Sequence, residues 1–197
     1  MADTQNLGLP LIAPAQAQKH VTVNEALARL DGLTQLTLGS VSETAPPAGV
    51  TDGAAYGVPA GATGAWAGQA GQVAVLSNGG WVFVAPRPGW RAWIADEARA
   101  AVFDGADWSA DALAVTPGRA AARFRSVEFD HVLGAGTSSA TSVVIPQHAM
   151  VFAVTGRVAA EMTGTLTGWD LGVAGATNRY GSGLGLSAGS WLVGVTG

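Results

Sequence analysis

The apolar positions of this chain change their spacing twice. Leu7 to His20 is an almost uncharged apolar stretch interrupted by Pro10 and Pro14. Proline fixes φ and pushes the preceding residue toward extended backbone, which predicts an extended arm over residues 1–21. The spacing then becomes helical, with Val23, Ala26, Leu27, Leu30 and Leu33 forming one stripe. Thr22 with Glu25 reads as a capping box, and Asp31-Gly32 as a stop with Gly32 as C-terminal cap, so the pattern predicts a helix over 22–33. An apolar arm is costly to leave in water, which suits a docking role. The stripe has two readings, packing on the chain's own core or contact between identical subunits around an axis.

From residue 34 the spacing becomes alternation, as in Gln35-Leu36-Thr37-Leu38. Gln72–Leu76 and Trp81–Val84 flank Ser77-Asn78-Gly79-Gly80, a hairpin signal centred on Asn-Gly. Strands are also predicted at Trp90–Ile94 and Arg99–Phe103. Ala74 to Trp81 is echoed by Ala101 to Trp108, each a strand, a tight turn and a tryptophan. Residues 34–110 therefore read as a small Trp-rich antiparallel β module, and 111–122 as a linker. Residues 123–197 read as a β-sandwich or jelly-roll-like module. Its strands are expected near Val127–His131, Thr141–Pro146, Met150–Ala160, Leu166–Val173 and Trp191–Val195. The chain stops at Gly197 directly after a strand-like segment, which implies either an open edge covered by neighbouring subunits or a shortened chain. The expected fold class is mainly β, with an extended arm and one short α-helix ahead of the two modules.

Composition sharpens this picture. Only 12% of the 197 residues are charged, about half the usual share, which suits a surface partly covered by other subunits. Net charge is −4 and Lys19 is the only lysine, so nucleic-acid binding is not expected. With no cysteine, disulfide and thiol chemistry are excluded. There is neither a signal-peptide pattern nor an apolar run of membrane-spanning length, so membrane insertion is not expected.

The chemistry-bearing residues are sparse. Gly185-Leu186-Ser187-Ala188-Gly189 fits a nucleophile-elbow string, but all three histidines lie upstream and the context is Gly-rich β. His20, His131 and His148 lack metal-ligand spacing. Asp104, Asp107 and Asp111 form a loose acidic run that reads as a solvated turn or, less simply, a calcium loop. Glu128 and Asp130 read as the wet face of a strand or as a glycosidase-like pair. The expectation is no enzyme, no catalytic residue, no cofactor and no metal. Five of the seven tryptophans fall within residues 66–108. Trp66, Trp90, Trp93 and Trp108 are candidates for stacking on a glycan, and the other reading makes them the core of the β module. Trp169 and Trp191 are of the same kind.

The blocks Leu9 to His20, Asn24 to Leu27 and Leu30-Asp31 resemble the N-terminal signature of a family of unknown-function domains. These occur in tail-fibre and head-spike proteins of alphaproteobacterial phages and gene transfer agents. Gly64 to Gly68, Trp81 to Phe83, Pro86 to Trp90 and Asp104 to Trp108 fit the same pattern, so the resemblance spans roughly 7–110. Residues 123–197 are similar to the β module that often follows.

The resemblance implies a structural component of a phage-like particle, a head spike or tail fibre, attaching to the host surface through capsular polysaccharide. It would sit on the particle surface, made in the cytoplasm without a signal peptide. Leu9, Pro10, Leu11, Ile12 and Pro14 are expected to dock on capsid or tail proteins of the particle. Val23, Leu27 and Leu30 are expected to make contacts in a homo-oligomer, a trimer or, at a five-fold vertex, a pentamer. The alternatives are a base or connector without receptor contact, a free carbohydrate-binding module, and a polysaccharide-cleaving enzyme.

Overall fold

The computed structural model describes residues 3–12, 19–134, 136–142 and 144–195, and of residues 19, 20 and 195 only the backbone. The fold is mainly β with one helix and several small sheets. The chain divides into two compact units, Met1–Ser126 and Val127–Gly197.

The first unit starts with helix α1 (Lys19–Leu33). Strands β1 (Thr37–Leu38), β2 (Ala55–Gly57), β3 (Val73–Ser77), β4 (Gly80–Val84), β5 (Arg91–Ile94), β6 (Arg99–Phe103), β7 (Trp108–Ala110), β8 (Ala112–Val115) and β9 (Ala121–Arg123) follow. They form a sheet β2-β3-β4, a sheet β1-β5-β6-β7 and a ribbon β8-β9. The short β1 pairs in parallel with β5, and all other pairs are antiparallel. The one antiparallel module expected over 34–110 is therefore built of two sheets, because β1 pairs with β5 and not with its sequence neighbour β2.

Strand β3 is buried on both faces. Val73 and Val75 join Leu36, Leu38, Ala55 and Ala92 in one core, edged by Trp90 and Trp108. Ala74 points the other way, into a second core with Val58 and Trp66, against which Tyr56, Trp81 and Phe83 pack. A run of apolar residues without alternation is what burial on both faces demands. The β3–β4 hairpin turns at Asn78 and Gly79, both at positive φ (51° and 72°), as a two-residue hairpin loop requires. Asp52 fastens that turn by accepting hydrogen bonds from the Asn78 N–H (2.8 Å) and the Gly79 N–H (3.0 Å). The sequence echo corresponds to a second hairpin, β6–β7, in which Trp108 pairs with Phe103 as Trp81 pairs with Leu76.

Several boundaries differ from expectation. The helix is already formed at Lys19, so Thr22 lies inside it, where it cannot leave helical φ and ψ to act as a cap. Gly32 is also helical. A Cβ there would meet Val75 Cγ1 at 2.6 Å, so glycine lets the last turn of α1 lie against β3. The left-handed position after the helix is Gln35 (φ 53°), and the Thr34 N–H donates to the Leu30 carbonyl. Residues 111–122, expected as a linker, hold β8 and the start of β9. Ala112 on β8 is buried, and the Arg91 guanidinium donates to the Leu113 carbonyl.

The second unit contains β10 (Ala153–Arg157), β11 (Trp169–Val173), β12 (Ala176–Leu184) and β13 (Trp191–Val195). They form two antiparallel ribbons, β10-β13 and β11-β12. The backbones of β12 and β13 run so close that a Cβ on Gly194 would sit 2.3 Å from the Tyr180 carbonyl oxygen. Only Val158, Tyr180 and Leu192 are buried apolar side chains among its described residues. The strands expected at Val127–His131 and Thr141–Pro146 are not formed among the described residues, and the long Met150–Ala160 strand shortens to β10. Strand β12, with glycines at 181 and 183, lacks an apolar alternation and was not expected. It is held by pairing with β11, with irregular register near Asp170, which accepts from the Gly183 N–H at 2.8 Å.

Trp66 is fully buried, with ring centroids 5.4 Å from Tyr56 and 5.1 Å from Trp81. Trp66→Ala is expected to destabilise the first unit by about 3–5 kcal/mol through the cavity it leaves, measured as faster amide exchange along β3. Gly32→Ala is expected to loosen the same strand by forcing Val75 aside, a smaller effect read by the same experiment.

Candidate functional site

Two polar side chains on α1 organise the N-terminal segment. Asn24 and Asp31 are seven residues apart and therefore lie on one face of the helix. Asp31 is buried and accepts hydrogen bonds from Thr4 Oγ1 (2.7 Å), the Asn6 N–H (2.9 Å) and the Leu7 N–H (2.6 Å). Asn6 returns a bond through Nδ2 to the Asp31 carbonyl. Two turns back along the helix, the Asn24 amide pairs with the backbone of Ile12 as a strand would, accepting from its N–H (3.0 Å) and donating to its carbonyl (3.1 Å). The segment thus runs along α1 and is clamped near both ends.

The expected extended arm over 1–21 is corrected on this point. Residues 3–10 fold into a tight loop, closed by the Thr4 N–H to the Leu9 carbonyl (3.0 Å), the Leu9 N–H to Thr4 Oγ1 (2.9 Å) and a bridge between Asp3 and Pro10. The prolines do not prevent this because Pro10 sits at the open end of the loop, where its missing N–H costs nothing. Of the expected docking residues, Leu9 and Leu11 are half-buried, Pro10 and Ile12 are exposed, and Pro14 lies outside the described residues. Of the expected oligomer contacts, Val23 and Leu30 are exposed and Leu27 is half-buried. Of the stripe, Leu33 packs against the first core. The two groups of residues that the sequence reading kept separate lie on one element, a helix with its arm fastened alongside.

Burial pushes the Asp31 carboxyl up, but the hydrogen bonds from Thr4, Asn6, Leu7 and Gln5 outweigh it and hold the group below the ordinary carboxylate range. A cleft of about 620 Å³ opens beside the clamp, lined among others by Gln5, Asn6, Thr37, Asp52 and Tyr56. Its carboxylates are already engaged, Asp31 by the arm and Asp52 by the β3–β4 turn. Burial, with Glu43 and Asp96 nearby, raises the Tyr56 phenol.

The tryptophans separate by exposure. Trp66, a glycan candidate whose other reading was the module core, is 0% exposed and belongs to the core, so it has no face to offer a sugar. Trp90 and Trp108 are half-buried against the first core, Trp108 also against Phe103 at 5.3 Å. Trp93 is 47% exposed on β5, between Thr37 on β1 and Ala100 on β6, two short side chains that leave its ring open. In the second unit Trp169 donates from Nε1 to the Gly185 carbonyl at 3.0 Å, and Trp191 is 76% exposed.

The acidic run is answered by arginines. Arg119 reaches both Asp104 and Asp107, and Arg99 pairs with Glu97 and Asp111. The Asp104 carboxyl is held low, first by the Asp107 N–H, against some desolvation, and then by the Ala106 N–H and Arg119. No group of three or more His, Cys, Asp or Glu able to hold a metal occurs among the described residues. Ser187 opens a turn closed by the Ser190 N–H to the Ser187 carbonyl, with no helix after it. Glu128 and Asp130 are exposed on a segment without strand structure, and His131 Nε2 lies 2.8 Å from Ser139 Oγ. No described helix is long and apolar enough to cross a membrane.

Residues 23–109 match a family described as protein of unknown function (DUF2793). The matched segment begins inside α1 and ends in β7, so it takes in both larger sheets of the first unit. No curated protein matches the chain.

Asn24 and Asp31 were not singled out as functional from sequence, although their seven-residue spacing on a predicted helix was visible. Asp31→Ala is expected to release residues 4–7 and to cost about 1–3 kcal/mol of stability. The check is loss of protection at the Asn6 and Leu7 amides. Because the folded value of Asp31 is lowered, its contribution is complete above the ordinary carboxylate value of 3.8 and is lost as pH falls through the lowered one. The Leu7 amide resonance is therefore expected to stay constant from neutral pH to about pH 5 and to move only in stronger acid. Asp31→Asn should abolish that movement.

Proposed function

We propose that this chain is a structural component of a phage-like particle or gene transfer agent, part of a head spike or tail fibre that attaches the particle to a host surface. The observation that carries this reading is the arm–helix element. Leu7, Pro10, Ile12, Val23 and Leu30 are held in a defined arrangement by Asn24 and Asp31, yet remain exposed. An apolar surface organised in this way but left uncovered suits docking on another protein of the particle. The resemblance of the sequence blocks to those of tail-fibre and head-spike domains supports the biological setting.

Glycan contact is proposed at Trp93. Its open ring and short neighbours suit stacking on a sugar. The second reading, a base or connector that touches no receptor, is favoured by the burial of Trp66 and the packing of Trp90 and Trp108 against the first core, which leaves Trp93 as the open ring among the four candidates of the first unit.

Labelled protein is expected to bind capsulated bacterial cells and not capsule-free ones, with Trp93→Ala weakening binding about tenfold. Binding to neither cell type, by a well-folded chain that still enters particles, would favour the connector reading. Removal of residues 3–12 is expected to abolish incorporation into particles, and normal incorporation of that variant would sink the docking role.

A further inference from the structure

The cleft beside the arm is a gap between two segments whose pairing stops short. The chain just after β1 is tied to β2 by the Gly39 N–H to the Ala55 carbonyl (2.8 Å) and the Gly57 N–H to the Ser40 carbonyl (3.0 Å). Towards Thr37 the two segments part, and the cleft of about 620 Å³ opens there. Both borders turn backbone groups into the gap. The Leu36 and Leu38 carbonyls accept from the Trp93 and Ala95 N–H groups, so the alternation of a strand turns the Thr37 N–H and carbonyl away from β5. The Ala54 carbonyl accepts from the Leu76 N–H, so Ala55 turns its own N–H away from β3 in the same manner. Neither the Thr37 N–H nor the Ala55 N–H has a hydrogen-bond partner among the described residues. Ala55 is buried, and a buried donor calls for a partner.

The side chains around the gap are uncharged hydrogen-bonding groups. Gln5, Gln35, Thr51 and Tyr56 line it, and among the described residues no Lys, Arg or His does. Its two carboxylates already hold donors of the chain itself. Small-ligand pockets of about 300–1,000 Å³ are ordinarily lined mainly by apolar side chains. A polar lining without a cation suits a ligand that is itself uncharged and rich in hydroxyls, each able to donate and to accept. Gln35 adds an independent observation. It occupies the left-handed position after α1 (φ 53°), where glycine or asparagine is the ordinary residue. Its side-chain amide is exposed and has no protein partner among the described residues. Backbone strain kept at the edge of a cleft points to a side chain retained for contact. Trp93 adds an aromatic face. It is the register partner of Thr37, so its strand lies one spacing, about 5 Å, from the strand that borders the cleft.

We propose that this cleft binds one residue of a neutral saccharide. The Thr37 and Ala55 N–H groups donate to its hydroxyls, the Gln35 amide holds it at the rim, and the next residue of the glycan stacks on Trp93. An extended peptide fits less well. Adding a strand needs a run of free backbone groups along one edge, and here each border offers a single residue. The site deepens the glycan reading given above and rests on it for the source of the ligand, a surface polysaccharide. It adds a polar subsite to what was a bare aromatic platform.

The test titrates the whole isotope-labelled chain with glucose, galactose, mannose and N-acetylglucosamine at millimolar concentration, followed by amide resonances. At least one of the four is expected to shift the Thr37 and Ala55 amides together and saturably. Glucuronate, a comparable ring bearing a carboxylate, is expected to bind more weakly, because no cation lines the cleft. Gln35→Gly is expected to weaken the sugar about fivefold while leaving the thermal midpoint unchanged or raised, because glycine takes φ 53° without strain. No saturable shift at Thr37 and Ala55 with any of the four sugars would overturn the proposal. So would shifts confined to Trp93 and its neighbours on β5, since the sugar would then rest on the ring alone. Tighter binding of glucuronate, or unchanged affinity in a stable Gln35→Gly, would overturn it as well. The adhesion reading fails separately, if labelled protein ignores capsulated cells while a sugar still shifts Thr37 and Ala55.

Discussion

The first unit depends on one strand covered on both sides. Strand β3 separates two small cores and contributes Val73 and Val75 to one and Ala74 to the other. It pairs with β2 and β4, and it receives the last turn of α1 at Val75. A strand in that position must be apolar wherever both faces are covered, as Val73 to Leu76 are, and its neighbours must approach closely. Gly32 satisfies the second demand on the helix side. On the other face, Trp66 fills the space between Tyr56 and Trp81 because few other large side chains are available there.

Anchoring at the C-terminal turn alone leaves most of α1 away from the sheets. A fifteen-residue helix is only marginally stable by itself, and here its support comes from the arm. The buried Asp31 carboxylate is tolerable because three donors from residues 4–7 satisfy it, and those donors bring the arm onto the helix. One electrostatic requirement thus fixes the path of the N-terminus, and with it the placement of the apolar side chains of Leu7 to Ile12. The docking role proposed for this surface follows from order combined with exposure.

The second unit contrasts with the first on the same criterion. Among its described residues no strand is buried on both faces, and its ribbons approach closely at Tyr180 and Gly194. Low charge content and high apolar content had suggested that subunits cover one another. Among the described residues, buried apolar side chains are concentrated in the first unit, with only Val158, Tyr180 and Leu192 in the second.

Much of the first unit was legible in the sequence because its determinants are local. Asn78-Gly79 demands positive φ at two successive residues, and the hairpin forms there. The strand–turn–tryptophan echo became two hairpins, and the helical spacing of Val23 to Leu33 became α1. Burial of individual residues was not legible. Trp66 and Trp93 carry the same side chain in similar surroundings of sequence, and only the packing of β2, β3 and β4 covers the one while the pleat of β5 turns the other outward. The arm was misread for a related reason, since two prolines favour extension locally but the Asp31 carboxylate, more than twenty residues away, decides the path. Strand β12 escaped notice because pairing with β11, and not its own glycine-rich composition, makes it a strand. The sequence alone thus determined the fold class, the helix and the turns that nearest-neighbour sterics dictate. Which tryptophan faces water and where the arm lies were decided by tertiary structure, because each depends on contacts between residues far apart in the chain.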